Sequence, residues 1–351
     1  MEMPWILQSS RRLSVLPRNS TFHLLLLVLA TTKGSSMSSS SSSTANHALW
    51  TEYRADAMAR CILPMTSSSY KGSSGRVGVL GGSARYTGAP YYAAMAALKV
   101  GADLSFVFCA EEAAIPIKTY SPELMVAPVY SSKEFDELKD GEEKDTEMPI
   151  QKLVKEVVDM MDKLHCLVIG PGLGRCPIVM KATSKIIQEA QARNIPLVLD
   201  ADALYLLTLE PYSKLLQPTS SVILTPNAME RKRLEGLEGN FKDFIVVEKG
   251  QFDVVKYGEG HSLYCGEIGG LKRSGGLGDI LAGTLGTLVA WNTILVNQDD
   301  ATLEDLPLAS WTACCFIKKA TKQAFDKHRR SMTAPDVLNH LGPVIDEMTM
   351  S

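Results

Sequence analysis

The chain has no Cys-x-x-Cys pair, no marked excess of either charge and, between Glu2 and Glu52, no acidic residue at all. Each absence removes a class of function or marks a segment. The seven cysteines (Cys61, Cys109, Cys166, Cys176, Cys265, Cys314 and Cys315) are odd in number and lack metal-ligand spacing. That fits a reduced intracellular protein rather than a disulfide framework or a zinc site. Cys314 and Cys315 lie in an apolar helical run and read as core. A net charge of −3, from 36 basic and 39 acidic residues, gives no reason to expect nucleic acid or stable membrane association. Several nucleotide and nucleophile motifs are also missing. No G-x-x-x-x-G-K-[ST] occurs; G-x-G-x-x-G would need glycine at Arg175, and G-x-S-x-G around Ser83 would need it at Arg85. His165 and His261 have no partners at ligand spacing and read as structure or surface.

The acid-poor N-terminus carries Arg11, Arg12, Arg18 and Lys33, and eight of the nine residues at 35–43 are serine. Its apolar stretch, 22–30, is too short to span a bilayer. Residues 1–45 are therefore expected to be a targeting leader and a Ser-rich spacer, with one folded domain over 46–351. A secretory cleavage site at Val28-Leu29-Ala30 is one reading. The basic, serine-rich character suits import into a mitochondrion or plastid at least as well, and Met37 offers the start of a cytosolic form.

Beyond the leader, apolar runs bounded by turn residues recur at 77–80, 104–108, 166–169, 197–199, 222–224 and 244–247. Helical periodicity fills 90–100, 150–164, 178–193, 203–209 and much of the C-terminal third. Alternating strands and helices predict an α/β fold: a mostly parallel central sheet flanked by helices on both faces. Eight acids and three lysines at 133–147 suggest a solvated surface loop. Ligands of such sheets bind beyond the carboxyl ends of the strands, where this chain concentrates its unusual residues.

Gly275-Gly276-Leu277-Gly278-Asp279 opens a long apolar helical run. A glycine turn at a helix N-terminus bares N–H groups suited to phosphate oxygens, and a carboxylate beside it suits a base for an attacking hydroxyl. A helix-capping Asp279 is the plainer alternative. Glycine-rich turns also follow the strands at Gly81-Gly82-Ser83 and Gly170-Pro171-Gly172. Asp200 and Asp202 end another strand, where they suit substrate hydroxyls or a helix cap equally. Asn227 and Glu230 have capping-box spacing, or they orient magnesium and water near phosphates. Lys249 sits in a turn, facing either nucleotide or solvent.

Together and in order, Gly81-Gly82-Ser83-x-x-Tyr86-Thr87-Gly88-Ala89-Pro90, Gly170-Pro171-Gly172-Leu173-Gly174-Arg175, Thr225-Pro226-Asn227 with Glu230, Lys249-Gly250 and Gly275-Gly276-x-Gly278-Asp279 resemble the ATP-dependent NAD(P)H-hydrate dehydratase family of the ribokinase-like superfamily. The resemblance implies a ribokinase-like domain that uses ATP to dehydrate the S-form of hydrated NADH or NADPH. The hydrate hydroxyl would be phosphorylated, and phosphate would then leave. By the same resemblance Asp279 is the catalytic base. ATP is lined by Lys249, Gly250, Gln251, Phe252 and Asp253, and by Gly269, Gly270, Leu271, Lys272, Arg273, Ser274, Gly275, Gly276, Leu277 and Gly278. The hydrated dinucleotide is met by Gly172, Asn227, Ala228, Met229, Glu230, Arg231, Lys232, Arg233 and Asp279. Magnesium bridges the ATP phosphates, with Glu230 as an indirect contact.

Two departures stand out. Leu277 replaces the glutamine usual in the family, and the stretch from Glu230 to Val246 is short, with helix only over 231–238 before Gly239-Asn240 turns into the next strand. About a dozen residues suffice for a parallel crossover. Two other readings stay open: a ribokinase-like kinase acting on a small vitamin-precursor alcohol, and a nucleotide-binding protein without catalysis. The sequence does not set the oligomeric state or the choice between the two hydrates.

Overall fold

The structure, a computed structural model, describes residues 47–139, 142–219, 221–235 and 243–350. The leader, its serine spacer and the Gly239-Asn240 turn lie outside these residues. The compact unit is Ala45–Ser351.

The chain begins with β1 (His47–Ala48) and α1 (Trp50–Arg60), then alternates: β2 (Arg76–Leu80), α2 (Gly88–Val100), β3 (Leu104–Ala110), α3 (Glu111–Tyr120), β4 (Met125–Tyr130), α4 (Ser132–Leu138), α5 (Glu143–Met161), β5 (Cys166–Ile169), α6 (Pro177–Ala192), β6 (Leu197–Leu199), α7 (Asp202–Leu206), β7 (Val222–Leu224), α8 (Ala228–Leu234) and β8 (Ile245–Glu248). Strands β9 (Val254–Tyr257) and β10 (His261–Cys265) follow, then α9 (Leu277–Asn297), α10 (Leu306–His328) and α11 (Ala334–Met350).

One ten-stranded sheet runs in the order β1-β10-β9-β8-β7-β6-β5-β2-β3-β4. From β8 to β4 every pairing is parallel, whereas β9 is antiparallel to both its neighbours. The expected α/β architecture is therefore present. Its cause is visible in the strands: β5, β6 and β7 read Cys-Leu-Val-Ile, Leu-Val-Leu and Val-Ile-Leu with every residue buried. Such strands are stable only when helices cover both faces. Strand order reverses between β2 and β5, and that reversal opens a crevice at their carboxyl ends. The short crossover after Glu230 is compatible with the fold, because β7 and β8 pair in parallel through Leu224 and Val246.

The segment 133–147 departs from expectation. Eight of its eleven charges belong to α4 and the start of α5, not to a solvated loop. Ser131 caps α4 by accepting the Glu134 N–H, and Phe135 anchors it in the core. Further along, Glu147 pairs with Lys185 at 2.7 Å while Ile150, Leu153 and Val157 form a buried stripe. High charge density marked the outer face of amphipathic helices.

Helix α9 is long and apolar enough to cross a membrane, but 83% of its apolar window is buried within this fold. It packs against α2, α10, β2 and β5, and its crossing with α2 is unusually close. A Cβ on Gly283 would stand 1.9 Å from the Ala93 carbonyl oxygen, and Thr287 donates its hydroxyl proton across the same contact to the Ala97 carbonyl at 3.1 Å. Helix propensity alone would reward Gly283→Ala by about 1 kcal/mol. Overpacking should reverse that sign, giving a net loss of about 1–3 kcal/mol. Urea unfolding measures it as a lower midpoint at unchanged slope; a raised midpoint would contradict the close approach.

Candidate active site

Two loops meet at the crevice between β2 and β5. The Gly82 N–H donates to the Pro171 carbonyl at 3.0 Å, and the Ser83 hydroxyl donates to the Gly172 carbonyl at 3.0 Å. Gly172 sits against Tyr86, Ala89 and Pro90 at the start of α2. Asp202, expected to meet a substrate hydroxyl or cap a helix, caps none; it ties the Gly170–Arg175 turn, accepting the Gly174 N–H at 2.9 Å and pairing with Arg175 at 3.0 Å.

The next three strands end in an ion-paired cluster. Asp200, just past β6, is 2% exposed; it accepts the Thr225 hydroxyl at 2.8 Å and pairs with Lys249 Nζ at 2.6 Å. Lys249 follows β8, and its N–H donates to the Pro226 carbonyl at 2.9 Å. Its ammonium also lies 4.0 Å from Glu230. The lysine is thus half-buried and paired, not solvated. Burial opposes its charge, but the carboxylates of Asp200, Glu230 and Asp279 outweigh that and hold its pKa above the usual value. Glu230 and Asn227 form the expected capping box: Asn227 Oδ1 accepts from Met229 and Glu230, and Glu230 Oε2 accepts the Asn227 N–H at 2.8 Å.

Helix α9 aims its N-terminus at this cluster. Gly276 adopts a left-handed conformation with φ 92°, and any side chain there would strike the Tyr92 ring and Ala334 at 2.8 Å. At Gly278 the Cβ position lies 3.5 Å from Lys249 Nζ and 4.0 Å from Asp200 Oδ2. No side chain caps this helix, so the glycine turn retains its exposed N–H groups. Leu277 is partly buried and packs against the hydrophobic core, which accounts for an apolar residue in the motif. Asp279 stands in the first helical turn. Burial, then the nearby charge of Asp200, pushes its pKa up to about 7, against the pull of Lys249.

The segments assigned to ATP converge on α10. Lys318 Nζ donates to the carbonyls of Gly250 and Gln251 at 2.8 and 3.0 Å, and Thr321 accepts the Gly270 N–H at 3.2 Å. Lys272 and Arg273 spend their side chains on the carbonyls of Arg330 and Gly270. A cleft of about 240 Å³ lies between the two assigned segments, lined by Asn227, Ala228 and Arg231 on one side and Lys249, Gly250 and Phe252 on the other. Met229, Lys232 and Arg233 are exposed outside that lining. A larger hollow of about 440 Å³ beside α6 contains none of the expected residues. Sequence reading missed Asp200's partner, Tyr92 and Lys318. A signal existed for Lys318: it falls on the buried helical stripe of Cys314, Ile317 and Thr321.

The mostly parallel, doubly wound sheet with a glycine-turned helix terminus at its strand ends is a ribokinase-like fold. A ribokinase-like superfamily protein from Enterococcus faecalis shares the fold, with a TM-score of 0.64 and 20% identity over 84% of this chain and 95% of its own. The ADP/ATP-dependent NAD(P)H-hydrate dehydratase of Bacillus subtilis, co-crystallized with ATP and magnesium, gives 0.61 at 21% identity over 86% and 99%. The family model for NAD(P)H-hydrate dehydratase matches residues 77–342. The ATP-dependent (S)-NAD(P)H-hydrate dehydratase of Homo sapiens is 38% identical over 305 residues, 82% of each chain. That of Entamoeba histolytica is 37% identical over 306 residues, 84% of this chain and 94% of its own. The chain belongs to the NAD(P)H-hydrate dehydratase family.

The Asp200–Lys249 pair has a measurable consequence. Lys249→Met leaves a buried carboxylate unpaired and should cost about 3–5 kcal/mol. Adding Asp200→Asn should recover most of that loss in urea unfolding. A double variant as unstable as the single would show that the charge pair is not the cause.

Proposed function

We propose that this chain catalyses the ATP-dependent dehydration of the S-form of hydrated NADH and NADPH, restoring the reduced dinucleotide. The observation that carries the reading is Asp279, a carboxylate with its pKa pushed up to about 7 at the glycine-rich N-terminus of α9. The names and high coverage of the relatives support the substrate.

Hydroxide is a poor leaving group, so the hydroxyl must be activated. Asp279 takes its proton while the oxygen bonds to the γ-phosphorus of ATP, and ADP departs with the electrons of the broken P–O bond. N–H groups of Gly275, Gly276 and Gly278, at the positive end of α9, hold the transferring phosphoryl. Phosphate then leaves with the C–O electron pair, and a neighbouring ring carbon gives its proton to the departing phosphate as the double bond forms. Lys249, already neutralised by Asp200, orients the cluster without quenching Asp279.

Among the described residues no group of three or more His, Cys, Asp or Glu side chains is placed to hold a metal. Glu230, held by the capping box with one carboxylate oxygen on the Asn227 N–H, would reach a magnesium carried by ATP phosphates indirectly, through water. Such an ion would supply charge neutralisation on the phosphates. The basic, serine-rich leader supports import into a mitochondrion or plastid, with a cytosolic form starting at Met37. A fluorescent fusion of residues 1–45 that stays in the cytosol would reject the import reading.

Incubation with ATP, magnesium and hydrated NADH should restore the absorbance of the reduced nicotinamide. Asp279→Asn should lower kcat by about 10³-fold with ATP binding preserved. Because the base must be ionised, kcat/KM should rise with pH and level off above about 7. Phosphorylation of a small alcohol without restored NADH, or full turnover in the variant, would overturn the assignment.

A further inference from the structure

Lys318 takes no part in the chemistry above, yet it is 7% exposed within the apolar body of α10. Burying an ammonium is strongly unfavourable unless its protons are matched. Here the match is complete: the carbonyls of Gly250 and Gln251 accept at 2.8 and 3.0 Å, and the buried Asp253 carboxylate stands at 3.0 Å. Asp253 in turn accepts the Gly250 N–H at 2.9 Å. The cation and its counter-charge thus clamp one short turn between β8 and β9.

The direction of those carbonyls matters. In a trans peptide the N–H of one residue points opposite to the C=O of the residue before it. Drawing the Gly250 and Gln251 carbonyls inward turns the N–H groups of Gln251 and Phe252 outward. Neither makes a backbone hydrogen bond among the described residues, and Phe252 lines the cleft beside Lys249. Successive outward N–H groups form a concavity suited to anionic oxygens. The same helix face seats the second ATP-side segment: Thr321 accepts the Gly270 N–H at 3.2 Å, and a Cβ on Gly269 would stand 3.1 Å from Lys318 Cδ.

We propose that Lys318 is a positioning residue for ATP: from beneath the 249–253 turn it aims the N–H groups of Gln251 and Phe252 at the nucleotide and holds the 269–270 segment beside them. This rests on the dehydratase reading, and the two fail separately. If wild-type protein does not restore NADH from its hydrate with ATP, the dehydratase reading falls.

With wild-type activity in hand, Lys318→Met should raise the KM for ATP about tenfold or more while the KM for hydrated NADH stays within about twofold. Lys318→Arg, which keeps the cation and its donors, should restore most of the ATP affinity. Calorimetric titration with ATP should show the same loss and rescue. An ATP KM within about twofold of wild type in folded Lys318→Met, or equal rises in both KM values, overturns the proposal. Should Lys318→Met not fold by circular dichroism, Thr321→Val decides: a raised ATP KM alone supports the proposal, and unchanged ATP binding overturns it.

Discussion

Two carboxylates and one ammonium at the ends of β6, β7 and β8, with Asp279 of α9 beside them, organise this molecule. Asp200 follows β6, Thr225 and Glu230 follow β7, and Lys249 follows β8; the Asp200–Lys249 contact at 2.6 Å pins all three strand ends. A single lysine cannot neutralise Asp200, Glu230 and Asp279 together. Lys249 makes its shortest contact with Asp200, while burial and then the nearby Asp200 charge push the Asp279 pKa up to about 7. The cluster thereby fixes both the geometry of the strand ends and the protonation behaviour of Asp279.

The rest of the fold delivers components to that cluster. Fully apolar strands require helices on both faces, and the sheet's reversal between β2 and β5 opens the crevice. Close crossing of α9 over α2, permitted by Gly283, brings the glycine turn to Lys249 and Asp200. Helix α10 lies behind the 249–253 and 269–270 turns and supplies Lys318 and Thr321 from the core. The start of α2 links the parts, since Tyr86 and Pro90 touch Gly172 while Tyr92 underlies Gly276.

Much of this was legible in the residues. Apolar runs marked the parallel strands, and Gly275–Asp279 marked the helix terminus, because both signals are local. Capping-box spacing at Asn227 and Glu230 was local as well, and the structure shows the box. The unreadable parts depend on distant pairings. Lys249 finds Asp200 across 49 positions, and Lys318 finds Gly250 across 68; neither separation carries a periodic signal. Asp202 looked like a ligand or cap because nothing local announced its contact with Gly174, 28 residues earlier. At 133–147 charge concealed amphipathic helices, since the apolar stripe that anchors α5 lies mostly beyond the charged run.

The central claim is that burial and the nearby charge of Asp200 hold the Asp279 pKa near neutrality against the pull of Lys249. A carboxyl-carbon NMR titration of aspartate-labelled protein, with the Asp279 signal assigned by its loss in Asp279→Asn, measures this directly. The account predicts a midpoint at about 7. A midpoint in the ordinary aspartate range, near 3.8, would contradict it.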